Sequence, residues 1–177
     1  MKRRVYVLDS VAFIRGYPPQ LIGEEHYIPL ALAEELKDER SKTLLEASVR
    51  SGHVKIRQPT QYAIEKSKEA ARETGDIRGL SEVDLHILAL AVDLMAEGVE
   101  SVIVTDDYSI QNVAHKMKIL FKPMTQHGIK EAVKWKVYCS ACRKVYPPTY
   151  LGVRCEVCGG ELKRKKVKRR RIWWKRG

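Results

Sequence analysis

The stretch Val5-Tyr6-Val7-Leu8-Asp9-Ser10 decides the fold. Four apolar, largely β-branched or aromatic residues run without polar alternation into a carboxylate and a hydroxyl, the pattern of a short strand covered on both faces. That predicts a central strand with Asp9 at its carboxyl end, where open α/β sheets place their binding sites. A carboxylate carried there needs a partner, since unpaired burial of charge is costly. The candidates elsewhere in the chain are Glu34/Glu35, Asp84 and Asp106/Asp107, all acidic. Acids converging without a basic partner point to a divalent metal site.

The same pattern recurs at Ser101-Val102-Ile103-Val104-Thr105, which runs into Asp106-Asp107 before a helix expected over Ser109–Met117. Between the two strands, short helical turns over 10–14 stop near Gly16 and Pro18-Pro19, and Tyr27-Ile28 reads as a short strand. Pro29 opens a helix over 30–39, a second helix runs from about Lys42 to Arg50, and Val54–Gln58 is a strand ended by Pro59. A polar helix over 60–74, closed by Gly75, buries Ala63, Ile64, Ala70 and Ala71. The most apolar helix covers 85–97 and is capped by Gly98, and Ile119-Leu120-Phe121 is a third short strand. Strands alternating with helices predict an α/β domain over residues 1–125, a parallel sheet flanked by helices. Residues 126–135 read as a linker that turns helical near Ile129–Val133, followed by a small ribbon over 136–163 and a basic tail over 164–177.

The net charge of +11 is unevenly spread: residues 1–133 carry 18 Lys+Arg against 20 Asp+Glu, and residues 134–177 carry 15 against 2. A near-neutral front thus precedes an intensely basic rear, separating chemistry from grip. The start Met1-Lys2-Arg3-Arg4 has the charge of a signal peptide, but the apolar run after it ends at Asp9, too short for one. The longest later apolar run, Ile87 to Val92, is too short for a bilayer. The expectation is a soluble cytoplasmic protein without a membrane partner. The five histidines are scattered and read as surface or partly packed residues, and no phosphate-cradling glycine loop occurs.

Cys139-x-x-Cys142, twelve residues, then Cys155-x-x-Cys158 gives four thiolates in two knuckles, the ligand set of one closed, structural Zn²⁺. With no sign of secretion, disulfides fit less well, and redox Cys-x-x-Cys motifs rarely come paired. Beyond the ribbon lies Lys163-Arg164-Lys165-Lys166-Val167-Lys168-Arg169-Arg170-Arg171, then Ile172-Trp173-Trp174. Basic groups beside aromatics that stack on bases suit single-stranded or irregular RNA; the alternative is a solvated tail. Tyr138, Tyr146 and Tyr150 either add stacking or pack the ribbon core.

Most of the acids also have a purely structural reading. Ser81-x-x-Asp84 is close to a capping box, Asp106 and Asp107 suit a helix N-terminus, and Glu34, Glu35, Asp38 and Glu39 form a charged face with Lys37, Arg40 and Lys42. Asp9 alone has no such alternative.

Leu8-Asp9-Ser10, Glu35 within Glu34-Glu35-Leu36-Lys37-Asp38, Ser81-x-x-Asp84 before Ala89-Leu90-Ala91, and Val104-Thr105-Asp106-Asp107 resemble, in this order, the motifs of PIN-domain nucleases. The resemblance covers residues 1 to about 125. It implies a ribonuclease dependent on one or two Mn²⁺ or Mg²⁺ ions, with Asp9, Glu35 and Asp84 as ligands. Asp107 falls where the family's Thr-x-Asp aspartate falls, Asp106 is the second candidate, and Thr105 orients a carboxylate or a water. Only the resemblance favours Glu35 over Glu34. A PIN-like domain followed by a zinc ribbon resembles the archaeal Nob-type endonucleases. That implies cleavage of precursor small-subunit rRNA at its mature 3′ end, inside an immature subunit that also carries other assembly factors. The implied chemistry is metal-assisted hydrolysis with in-line attack by water, leaving 5′-phosphate and 3′-hydroxyl ends. The rivals are a toxin-type PIN ribonuclease, a non-catalytic zinc-ribbon RNA-binding assembly factor, and a ribbon that binds duplex DNA.

Overall fold

The computed structural model describes residues 3–16, 25–124, 129 and 131–171, the last four of these as backbone only. In chain order the elements are β1 (Arg4–Leu8), α1 (Ser10–Ile14), β2 (Glu25–Pro29), α2 (Leu30–Glu35), α3 (Glu39–Arg50), β3 (Val54–Arg57), α4 (Gln61–Thr74), α5 (Glu82–Ala96), β4 (Glu100–Val104), α6 (Tyr108–Lys116), β5 (Leu120–Lys122), β6 (Glu131–Cys139), β7 (Val145–Tyr146) and β8 (Leu162–Arg171).

The first five strands form one sheet in the order β3-β2-β1-β4-β5, every neighbour parallel. β1 lies at its centre and explains the unbroken apolar run: Val5 and Val7 join the core under α5 and α6, while Tyr6 and Leu8 join the core under α1, α2 and α3. β1 and β4 pair with Leu8 opposite Val104. Asp9 and Thr105 therefore leave the sheet side by side at one edge. α5 is apolar nearly all round because it is covered twice, by the sheet on one side and by Ala63 and Ile64 of α4 on the other.

Several expectations are corrected. The single helix expected over 30–39 is broken: α2 ends at Glu35, and Asp38 accepts from Ser41 N at 2.8 Å, starting α3 at Glu39. Asp38 satisfies an otherwise orphaned N–H at the start of α3, which favours beginning a new helix over one more turn of the acid-rich one. The helix expected over Ile129–Val133 is replaced by the start of β6. Val133, Trp135 and Val137 alternate with Lys134, Lys136 and Tyr138, a period of two rather than 3.6. The boundaries expected at 135/136 and 163/164 therefore fall inside β6 and β8. The basic run expected as a tail is β8 as far as Arg171, antiparallel to β6, with β7 on β6's other side. Lys and Arg are poor strand formers, but a full-length partner supplies the backbone hydrogen bonds. Trp173 and Trp174 lie outside the described residues. Among the histidines, expected to be at the surface or partly packed, His26 is fully buried and stacks on Tyr6.

Candidate active site

Asp9 follows the last residue of β1 and caps α1, accepting from Ser10 N at 2.5 Å through Oδ1. Its Oδ2 accepts from Thr105 Oγ1 at 2.6 Å, and that hydroxyl oxygen in turn accepts from Asp107 N at 3.0 Å. Burial pushes the Asp9 carboxyl above its ordinary range; the bonds from Thr105 and Ser10 oppose this, and the charge of Asp84 adds to it.

Asp9, Glu35 and Asp84 line one cleft of about 260 Å³. Asp84 is brought there by the start of α5, where a complete capping box forms: Ser81 N donates to Asp84 Oδ2 at 2.7 Å and Asp84 N to Ser81 Oγ at 3.1 Å. The structural reading of this acid is thus correct and compatible with a site role, since the cap engages one oxygen. Glu35 lines the cleft from the end of α2 and Glu34 does not. Asp38, Lys37 and Ser41 line it too. Composition alone does not single them out; the signal is Asp38-x-x-Ser41, an N-cap that turns the chain at the mouth of the cleft.

The second acidic pair is placed differently. Asp107 is exposed and caps α6, accepting from Ser109 N at 2.6 Å and Ile110 N at 3.2 Å. Its backbone N–H, rather than its carboxylate, is what Thr105 connects to Asp9. Asp106 accepts from Met124 N at 2.9 Å and forms an ion pair with Arg15, 3.9 Å from its Nε. The structure thus gathers three of the expected acids in one cleft, joins the backbone of a fourth to Asp9 through a hydroxyl and pairs the fifth with Arg15. Among the described residues the four cysteines are the only group of three or more ligating side chains whose donor atoms all lie within 4.8 Å of one another. The three carboxylates share a cleft without all closing to that distance. Their chemistry, oxygen donors on separate elements with one desolvated, fits a hard divalent cation.

Cys139 and Cys142 approach Cys155 and Cys158, with Sγ–Sγ separations of 3.5 Å for Cys139–Cys158 and Cys142–Cys155. The Tyr146 hydroxyl, 3.1 Å from Cys155 Sγ, and the amides of Cys158 and Val157 hold the Cys155 thiol down to about 6 against its burial. The amide of Cys142 likewise lowers Cys139. Donors aimed at these two sulfurs favour their thiolates, the form that binds metal, while against the amide of Lys144 the neighbouring thiols Cys158, Cys155 and Cys139 push Cys142 up to about 12. Gly160 is needed at the knuckle, because a Cβ there would sit 3.0 Å from Cys139 Sγ. Tyr146 and Tyr150 stack on each other and pack the small ribbon core.

The register of β6 and β8 sorts the basic run by face. Lys136 pairs with Lys165 and Tyr138 with Lys163, so these four side chains share one face, lysine opposite lysine. Trp135 pairs with Lys166 and Val137 with Arg164 on the other face, where Arg164 and Lys166 lie 5.0 and 5.5 Å from the Trp135 ring centroid. Arg164 also donates to Gly75 O. Arg164 and Lys166, expected to bind RNA, are thus engaged within the protein. Nothing is described of the Lys168, Arg169, Arg170 and Arg171 side chains.

Residues 6–94 match the PIN domain of ribonuclease. The chain is 38% identical over 160 residues to Endoribonuclease Nob1 of Methanothermobacter thermautotrophicus, covering 90% of this chain and 92% of that protein. It is 40% identical over 164 residues to Endoribonuclease Nob1 of Archaeoglobus fulgidus, covering 93% and 92%. Ribonuclease VapC1 of Thermoplasma acidophilum is 31% identical over 167 residues, covering 94% and 80%. Among the described residues no helix is long and apolar enough to cross a membrane.

Proposed function

The chain belongs to the Nob1 family of PIN-domain endoribonucleases, and we propose that its substrate is precursor small-subunit rRNA, cut in the cytoplasm to form the mature 3′ end. The observation that carries the assignment of the site is the meeting of Asp9, Glu35 and Asp84 in one cleft at the carboxyl edge of a parallel sheet. In this proposal those three acids hold Mn²⁺ or Mg²⁺, Asp107 completes the set from the start of α6, and Asp106 holds the loop after β5 and pairs with Arg15.

A divalent cation supplies the activation of water and the neutralisation of charge that in-line phosphodiester hydrolysis requires. Thr105 and Ser10 hold the Asp9 carboxylate in one orientation and favour its charged form against burial. The capping box fixes Asp84 on the opposite wall. Lys37, the one basic side chain lining the cleft among the described residues, faces the phosphate backbone entering it. The four cysteines hold one structural Zn²⁺, and the ribbon face of Lys136, Tyr138, Lys163 and Lys165 grips RNA phosphates, with the tyrosine offered to a base. Partners are the immature subunit and the assembly factors on it.

The test is incubation of a short RNA spanning the mature 3′ end with the full chain, with and without Mn²⁺, and analysis of the product termini. Wild type should cut only with metal, leaving a 5′-phosphate and a 3′-hydroxyl, and Asp9→Asn should not cut while binding the RNA as tightly. Equal cleavage by Asp9→Asn would defeat the site assignment, and metal-independent cleavage the mechanism.

A further inference from the structure

The segment Gly75–Leu80 joins α4 to the capping box that carries Asp84, and the ribbon holds it from several sides. Asp76 is buried; its Oδ1 accepts from Trp135 Nε1 at 2.9 Å and its Oδ2 from Asn112 Nδ2 at 2.5 Å. Asn112 also bonds both the N–H and the C=O of Val133, tying α6 and β6 to the same point. Arg78 donates to the carbonyls of Tyr150 and Gly152. Arg164, stacked on Trp135, donates to Gly75 O, and its guanidinium covers Gly79, where an added Cβ would lie 3.2 Å from both terminal nitrogens. Gly75 itself is left-handed, with φ +82, and an added Cβ would meet Trp135 Cβ at 2.7 Å. Two residues after Gly79, Ser81 begins the cap that places Asp84.

We propose that the ribbon is a positioning element for the acidic cleft: Trp135, Arg164 and the Tyr150 and Gly152 carbonyls fix Gly75–Leu80, and through it the start of α5 and Asp84. This rests on the functional reading above and adds to it, because it gives the ribbon a role in the cleft besides gripping RNA. It also assigns Arg164 to positioning rather than to phosphate contact. A buried carboxylate that loses the Trp135 donor is left with an unsatisfied oxygen, which is costly, so the segment should loosen where the ribbon lets go.

The comparison uses the full chain as wild type, Trp135→Phe, Arg78→Ala, Arg164→Gln and Arg164→Lys. Hydrogen exchange across residues 75–84 is followed in metal-free protein, beside kcat and KM for the RNA substrate with Mn²⁺ and RNA affinity without it. Trp135→Phe and Arg78→Ala should speed exchange of that segment at least tenfold and lower kcat at least fivefold, with RNA affinity within twofold of wild type. Arg164→Lys should match Arg164→Gln, because the amine keeps the charge but loses the planar fork. Arg78 is exposed, so its variant does not depend on the fold tolerating a lost buried donor. Unchanged exchange and kcat with weakened RNA binding, rescued by Arg164→Lys, would overturn the proposal and return Arg164 to the grip. Should wild type fail to cut RNA, the functional reading falls while the exchange data still decide the coupling.

Discussion

Replacing Thr105 with valine nearly keeps the volume of a fully buried side chain and deletes one hydroxyl. That hydroxyl donates to Asp9 at 2.6 Å and accepts from Asp107 N at 3.0 Å. A hydrogen bond to a charged group contributes about 1.5–3 kcal/mol, so losing it raises the Asp9 carboxyl further. Asp9 already lies above its ordinary value, so the folded chain binds this proton more tightly than the unfolded chain. The stability linked to it is fully present below the unfolded carboxylate pKa and is lost as pH rises to the folded one. Valine extends that window upward. In urea titrations without metal, Thr105→Val should therefore lose about 2 kcal/mol at pH 8 and clearly less at pH 5. The acid limb of Mn²⁺-dependent cleavage should move to higher pH in parallel. An equal loss at both pH values with an unmoved limb would refute the coupling of Thr105 to ionised Asp9.

Asp9→Asn should stabilise the metal-free protein by about 1 kcal/mol while ending cleavage, because it removes a desolvated charge facing Asp84; Mn²⁺ should raise the melting temperature of wild type and leave the variant unmoved. Lys163→Ala combined with Lys165→Ala should flatten the salt dependence of RNA binding by ~1.4 in log–log slope, at about 0.7 per single-strand phosphate contact. Gly160→Ala places a methyl group 3.0 Å from Cys139 Sγ and 3.1 Å from Ala141 Cβ; zinc affinity, measured by competition with a chromogenic chelator, should fall by about tenfold or more.

What was legible in the sequence was what a single stretch determines. The run before Asp9 and its repeat before Asp106 fixed two neighbouring strands, because only a strand covered on both faces tolerates such composition. Two Cys-x-x-Cys pairs specify their own geometry. The rest depends on pairing. Asp38 stands among Glu34, Glu35 and Glu39, and nothing in composition distinguishes a capping acid from a solvated one. α2 is too short for periodicity to separate Glu35 from Glu34; the packing of α2 beside β2 decides it. Arg164 and Lys165 are equivalent in a basic run until the register of β8 on β6 sends one to Trp135 and the other to the opposite face. Asp76 gives no signal in sequence, since its partners are 36 and 59 residues away.

The lysine ladder on β6 and β8 carries a consequence for the molecule at rest. Side chains directly opposite across an antiparallel pair stand roughly 5 Å apart, inside the ~8 Å screening distance of physiological salt, so Lys136 and Lys165 repel even there. Dilute buffer should leave this sheet least stable, and added KCl should raise its melting temperature while weakening its hold on RNA. Heat tolerance and ligand affinity are then opposite readings of one electrostatic debt, discharged either by small anions or by the polyanion itself.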